Sequence, residues 1–433
     1  MRLMKKALLI IMSLLAGKNL TAQHYTGNLT PLIKSQIIEN VSSSLISNYV
    51  YPDTALKMAD HIKQRLKNGA YTFVTDHQKF AKLVTADLLT VFNDGHLLVR
   101  YSPQKKTDDS LSYIERAVKQ IKFARSINAG VMKAEILTGN VGYIKLDIFS
   151  PLGDETRETI NNAISFIRNS DALIIDLRHN GGGNASMVSY LTGFFFDKKT
   201  RTTGFYNRNA HQMIESWAEP NKYSDILSSI PIYILTSNYT GSCAELFTYD
   251  LQTLGRATVV GERTKGAANP MSSASLGDEF EMQIPYARAI NYITKTSWEG
   301  VGVLPNVKAP ADKAIDAALL TYFNDRSSTS KNEEDIKHAK WLSYIIRVRA
   351  KPVKIPSAIL KKYVGNYSNN IKITHEGDNL YVLDGYKQLL TPISNNQFVY
   401  YSSTIEFVES AKPRATELIL TTDDGKIQRY IKQ

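Results

Sequence analysis

Apolar positions follow three different rhythms along the chain. From residue 30 to about residue 92 they recur at spacings of three and four: Ile33, Ile37, Ile38 and Val41, then Met58, His61, Ile62 and Leu66, then Leu83, Leu88, Leu89 and Phe92. That spacing predicts amphipathic helices, and Pro52-Asp53 and Asn68-Gly69 punctuate them. From 137 to 322 short apolar runs alternate with helical patterns. Strands are predicted at 141–148, 172–177, 232–236, 257–261 and 281–287, and helices at 154–168, 185–195, 243–254 and 311–322. Strand–helix alternation of this kind builds a layered α/β domain, with continuous apolar strands buried on both faces. Beyond Pro352 and Pro356 the rhythm changes to alternation of period two, in IKITHEGDNLYVLDG, QLLTPISNNQFVYYSS, TIEFV and TELILTTDDGKIQRYI. Turn signals at Glu376-Gly377-Asp378-Asn379 and Asp424-Gly425 separate these strands, which predicts a small antiparallel β domain.

The first 22 residues stand apart. Arg2, Lys5 and Lys6 precede an apolar run from Ala7 to Ala16, and Ala22 is the expected cleavage point. The run is too short to cross a bilayer, so it reads as a secretory signal peptide, and no cysteine near the cleavage point offers a lipid anchor. No later run is long enough to span a membrane. The expected product is exported, periplasmic or extracellular, and not integral to a membrane. The domain reading is then 1–22 signal peptide, 23–100 helical domain, 101–136 connector, 137–322 α/β core, 323–356 linker and helix, and 357–433 β domain. DRSSTSKNEED at 325–335 supplies the polar linker. Losing residues 1–22 takes the net charge from +11 to +7. No basic run accompanies that charge, which argues against nucleic acid as a partner. Cys243 is the only cysteine, so stability rests on packed cores and not on disulfides.

Two strand ends carry candidate chemistry. The predicted strand Ile232–Leu235 runs through Gly241 into Ser242, and a helical pattern starts at Ala244. A hydroxyl held there sits beside the free N–H groups and the positive end of a helix, a place that can stabilise an oxyanion. Ser242 with Glu245 also fits a capping box, a purely structural role. The second strand end is DALIIDLRHNGGGN. Gly181, Gly182 and Gly183 there mark either a close approach to the backbone or a tight strand-to-helix turn.

Together, DLRHNGGG, TSNYTGSCAE and GRATVVGERTKGAANP resemble the serine peptidases that include C-terminal processing (tail-specific) proteases, the tricorn protease and interphotoreceptor retinoid-binding protein. NYVYPDTALKMADHIKQRLKNGAY and LTVFNDGHLLVRY resemble the retinoid-binding-protein branch, and the resemblance covers roughly residues 30 to 310. It implies a Clp-protease/crotonase-like core, Ser242 as nucleophile, and an oxyanion hole from the amides of Cys243 and of Gly181 or Gly182. C-terminal processing proteases insert a PDZ domain between the helical domain and the core, and the stretch from Tyr101 to Leu137 is too short for one.

The base is less settled. C-terminal processing proteases carry a lysine 25 residues after the serine, where this chain has Ala267, with Lys265 two residues short. The tricorn-like pattern uses a histidine in Asp-x-His, matched by Asp94-Gly95-His96, and a glutamate before a Gly-Val-x-Pro turn, matched by Glu299 ahead of Gly302-Val303. Histidine suits general-base work because its pKa lies near neutrality. The tricorn-like enzymes place a relay serine where this chain has Gly95, so a link from Glu299 to His96 is direct, through water, or absent. The implied activity is hydrolysis of peptides or unfolded proteins, without metal or organic cofactor. The rival reading is a catalytically silent binder of peptides or lipophilic ligands on the same fold. A third gives carbohydrate or partner binding to the β domain.

Overall fold

The computed structural model describes residues 28–103, 112–351, 353–409, 415–422 and 424–433. The expected signal peptide, 1–22, lies outside the described residues. Three helices come first: α1 (Pro31–Asn48), α2 (Pro52–Lys67) and α3 (His77–Val91). Their starts follow local chemistry. Thr30 Oγ1 accepts from the Ile33 amide at 3.2 Å, Asp76 Oδ1 accepts from the Lys79 amide at 2.6 Å, and Pro31 and Pro52 stand in first turns, where no N–H is required.

After β1 (Leu98–Tyr101) come α4 (Tyr113–Ser126), β2 (Val131–Leu137), β3 (Val141–Leu146), α5 (Asp154–Ile167), β4 (Ala172–Asp176) and α6 (Ala185–Thr192). Short strands β5 (Thr200–Arg201), β6 (Gly204–Asn207), β7 (Gln212–Ile214) and β8 (Trp217–Ala218) follow, with one helical turn, α7 (Ser224–Leu227). Next are β9 (Ile232–Thr236), α8 (Cys243–Thr253), β10 (Thr258–Gly261), β11 (Met271–Gly277), β12 (Phe280–Pro285), β13 (Ala287–Ile290), β14 (Val307–Lys308), α9 (Ala314–Thr329), α10 (Glu333–Ala350) and α11 (Ser357–Tyr363). The chain ends in β15 (Gly365–Tyr367), β16 (Ile371–Glu376), β17 (Asn379–Leu383), β18 (Lys387–Pro392), β19 (Gln397–Tyr400), β20 (Ser403–Glu409), β21 (Ala415–Thr421) and β22 (Ile427–Ile431).

The central sheet has the order β14-β10-β9-β4-β3-β2, parallel throughout except for β2. Alternate residues of one strand feed opposite layers. Leu173 and Ile175 pack with α5, α6 and α8, whereas Ala172 and Ile174 pack with α9 and α10. Apolar side chains on both faces explain why these strands read as continuous runs.

The helical N-terminal layer is not built from its own sequence alone. Its core also takes in Leu276, Phe280, Met282 and Ile284, from the hairpin β11–β12. That hairpin pairs with β1, Leu98 opposite Gln283 and Tyr101 opposite Phe280, giving a three-stranded sheet β1-β12-β11. The loop before β1 is thereby carried onto the α/β core. Between β1 and β3 the described residues hold α4, a short 3₁₀ turn and β2.

Residues 325–335 differ from the linker reading. They are the last turn of α9, a three-residue turn and the start of α10. Asn332 Oδ1 caps α10 by accepting from the Glu334 amide at 2.9 Å, and Glu333, Glu334 and Asp335 lie in its first turn, where the helix dipole favours acids. The polar run is thus the solvated junction of two helices whose apolar faces close the core.

The eight C-terminal strands run in sequence order, each antiparallel to the next. The two ends also meet. Ser368 N donates to Ile431 O and Gln433 N to Asn366 O, both at 2.9 Å, and Tyr367 bridges Lys432. The sheet is therefore a closed barrel without free edges. Its core, which includes Tyr363, Phe398 and Phe407, is separate from the α/β core. Trp341 Nε1 donates to Ser402 O and Arg349 Nη2 to Tyr401 O, joining α10 to the barrel.

Separate cores joined by few hydrogen bonds predict separable folding. A chain ending at Lys351 should stay soluble and melt within about 2 °C of the corresponding calorimetric transition of the full protein, a shift of roughly 1 kcal/mol for this size of unit. Aggregation of the shortened chain would show that the barrel belongs to the core.

Candidate active site

Ser242 stands between β9 and α8 with φ 52° and ψ −121°, a left-handed backbone that a serine adopts only under constraint. The constraints are visible. Thr240 Oγ1 donates to Leu177 O, Ser237 Oγ to Arg178 O, and Gly241 N to Asn180 O, pinning the turn to the loop after β4. Glu245, fully buried, accepts from the Ser242 amide at 2.8 Å, the Gly266 amide at 2.6 Å, the Ala267 amide at 2.9 Å and Thr264 Oγ1 at 2.5 Å. The capping glutamate therefore does more than cap. It fastens the serine turn to the loop after β10.

The glycines meet this turn. A Cβ on Gly182 would lie 2.7 Å from Ser242 Cβ and 3.0 Å from Cys243 N, and one on Gly183 would lie 2.0 Å from Phe149 O. Only glycine allows that approach. The Gly182 amide is already engaged, donating to Asn180 Oδ1 at 2.9 Å. The amides of Gly181 and Cys243 have no acceptor among the described residues. Cys243 Sγ donates to Gly183 O at 3.1 Å, and burial pushes its thiol up to about 11, so it stays protonated at neutral pH.

His96 and Ser242 open into one cavity of about 240 Å³, walled by Phe205, Leu246, Met271 and Trp298. Burial holds His96 below the ordinary histidine value of 6.5. Asp94, the Asn269 main chain and Glu245 favour its charged form, and Lys265 opposes it. Lys265 itself is exposed, its side chain running close to Gly241, and does not line the cavity.

Glu299 directs its carboxylate at three main-chain amides: Ala268 at 2.7 Å, Asn269 at 2.9 Å and Gly95 at 3.4 Å. No hydrogen bond joins it to the His96 ring among the described residues, and His96 Nδ1 is buried without a partner. Burial, then the neighbouring Asp94, pushes the Glu299 carboxyl above its usual range, against the pull of those amides. The two departures from the relatives' pattern touch each other. A Cβ on Gly95 would lie 2.9 Å from Ala267 Cβ, so a serine at 95 would press on Ala267.

Three residues of the site escaped the sequence reading. Asn180 orients the Gly182 amide, Tyr49 hydrogen bonds to Asp94, and Trp298 walls the cavity. Asn180 adjoins the glycines and so carried a signal. Tyr49 and Trp298 sat in ordinary helical and loop patterns.

Comparison with known proteins places these segments. Residues 140–309 match the model of peptidase family S41, and residues 33–133 match the N-terminal domain of peptidase S41 in eukaryotic IRBP. The chain is similar to the carboxyl-terminal-processing protease of Picosynechococcus sp., 27% identical over 46% of each chain. It is similar to the chloroplastic carboxyl-terminal-processing peptidase 2 of Arabidopsis thaliana, 28% identical over 39% of this chain and 32% of the relative. The chain thus spans less than half the length of these curated relatives. Among solved structures, the photosystem II D1 C-terminal processing protease aligns with a TM-score of 0.39 and 15% identity, over 64% of this chain and 94% of the other.

Glu245 offers a direct test of the turn. Glu245→Gln keeps the volume but sets an amide N–H against donors. It should cost about 2–5 kcal/mol in stability, the range for spoiling a buried charged network. Thermal denaturation checks this, and an unchanged midpoint would mean that the carboxylate does not hold the turn.

Proposed function

Since the chain belongs to peptidase family S41, we propose that it is an exported serine-type endopeptidase acting on peptides or unfolded proteins, with Ser242 as nucleophile and His96 as general base. The observation that carries the reading is the shared cavity. It joins a strained serine at a helix N-terminus to a half-buried histidine, beside two unclaimed main-chain amides. In this reading His96 removes the Oγ proton as Oγ attacks the peptide carbonyl carbon. The oxyanion forms against the amides of Cys243 and Gly181. Collapse expels the amine, which takes the proton from His96, and water then hydrolyses the acyl-enzyme. Glu299 acts in support, by fixing the main chain around Gly95 and Asn269.

Export rests on the pattern of residues 1–22, and the relatives include a chloroplastic peptidase. No helix among the described residues is long and apolar enough to cross a membrane. Intact mass of secreted protein should give a start near Gln23, whereas cytoplasmic protein retaining Met1 would remove the export reading.

The apolar cavity wall, together with Ala267 and Gly95, also favours the rival, a silent binder of a peptide or lipophilic ligand. A fluorophosphonate probe separates the two, because only an activated serine reacts.

Labelling should map to Ser242. Because His96 must be neutral to accept a proton and burial lowers its pKa, the rate should rise with pH through a midpoint below 6.5 and be flat above neutrality. Ser242→Ala and His96→Ala should each cut turnover by about 10³-fold or more, without adding, as groups acting together do. Lys265→Ala should change it less than about threefold, the usual scale for an exposed charge. Loss of activity in Lys265→Ala with His96→Ala unaffected would hand the base role to the lysine, and no labelling of folded protein at any pH would leave the binder.

A further inference from the structure

We propose that Asp94, locked by Tyr49, is the positioning residue for His96 and supplies the negative charge that its imidazolium form faces, a task that the Glu299 carboxylate does not perform. The proposal rests on the peptidase reading of Ser242 and His96.

Asp94 is fully buried two residues before His96. Its Oδ1 accepts from the His96 amide at 3.0 Å, and its main-chain oxygen accepts from the Leu97 amide at 3.2 Å. These two bonds close the turn that presents His96. Its Oδ2 accepts from the Tyr49 hydroxyl at 2.9 Å. Tyr49 is itself fully buried at the end of α1, and its carbonyl accepts from Arg208 Nη1. The phenol stays protonated, since burial and Asp94 both raise it far above its ordinary value. It is therefore a permanent donor, and it anchors the His96 loop to the helical layer.

A buried carboxylate beside an imidazole favours the charged ring that forms when the serine proton is taken. The charged groups around His96 are Asp94, Glu245 and Lys265, and the Cys243 thiol lines the same cavity. Around Asp94 they are Tyr49, Tyr51 and Glu299. Of the acids, Glu245 is spent on four donors at the serine turn. Glu299 is spent on three amides and is pushed towards its neutral form by burial and then by Asp94. Glu299 reaches the His96 loop only at the Gly95 amide, 3.4 Å away, whereas the side chain bonded to the amide of His96 itself is that of Asp94.

The test compares wild type with Asp94→Asn, Tyr49→Phe and Glu299→Gln in the mature full-length protein. NMR follows the His96 ring titration, and kcat and KM are measured against pH on an unfolded protein substrate. In Asp94→Asn the His96 pKa should fall by about one unit, the size expected on removing a nearby opposite charge. Its kcat should fall about tenfold or more with KM within about twofold, the signature of an interaction made in the transition state. Tyr49→Phe should lower kcat about threefold at constant KM, and Glu299→Gln should leave the His96 titration in place. The proposal is overturned if Asp94→Asn leaves both readouts unchanged, or if Glu299→Gln produces the larger fall in each. If Asp94→Asn does not fold, Tyr49→Phe decides, and an unchanged kcat there overturns the proposal. If wild type is inactive, the peptidase reading fails. The ring titration then decides alone, a lower His96 pKa in Asp94→Asn supporting the charge assignment and an unchanged one overturning it.

Discussion

One buried carboxylate holds the site together. Glu245 accepts from the amide of Ser242 and from three donors in the loop after β10, Thr264, Gly266 and Ala267. Each of those donors would be costly to leave unpaired in the interior. The strained conformation of Ser242 persists because this carboxylate and the loop after β4 both fix it. The influence extends further along the same loop. Ala268 and Asn269 give their amides to Glu299, which also takes the amide of Gly95, next to His96. A short series of main-chain contacts thus runs from the serine turn to the histidine loop.

The site is assembled from two layers. Ser242 and the glycines belong to strand ends of the parallel sheet. His96 belongs to the helical layer and arrives because β1 pairs with β12, a strand that comes much later in the chain. The hairpin β11–β12 is thus part of the N-terminal packing unit, although its sequence lies within the α/β core. Burial then acts on the two layers' ionisable groups in one sense. It drives both His96 and Glu299 towards their neutral forms. A neutral histidine is the state a base requires, and a neutral glutamate is a poor counter-ion.

The barrel stands outside this assembly. Its strands close on themselves, which satisfies the edge groups that an open meander would expose. The cleft at its end, lined by Lys362, Asn395, Asn396 and Glu406, lies in a separate core from Ser242. Helix α10 is the piece that the two units share.

The strands at 172–177 and 232–236, the helix after Ser242 and the triple glycine were legible in the sequence because each depends on local rules. Those rules are a run of apolar residues, a period of 3.6, and the absence of a Cβ where the chain must bend or approach closely. The rhythm of period two likewise marked the C-terminal strands. Closure of those strands into a barrel was not legible, since it depends on Tyr367 meeting Lys432. The helices at 325–335 were obscured because their exposed polar faces have the composition of a linker. The candidate base and nucleophile could be named from motifs, but their surroundings could not. That Gly95 touches Ala267, that Glu299 spends its oxygens on amides, and that Tyr49 reaches Asp94 are contacts between segments far apart in sequence. Periodicity encodes which face of an element is buried, whereas such contacts follow from how whole elements pack. That packing decided which of several nearby acids bonds the amide of His96.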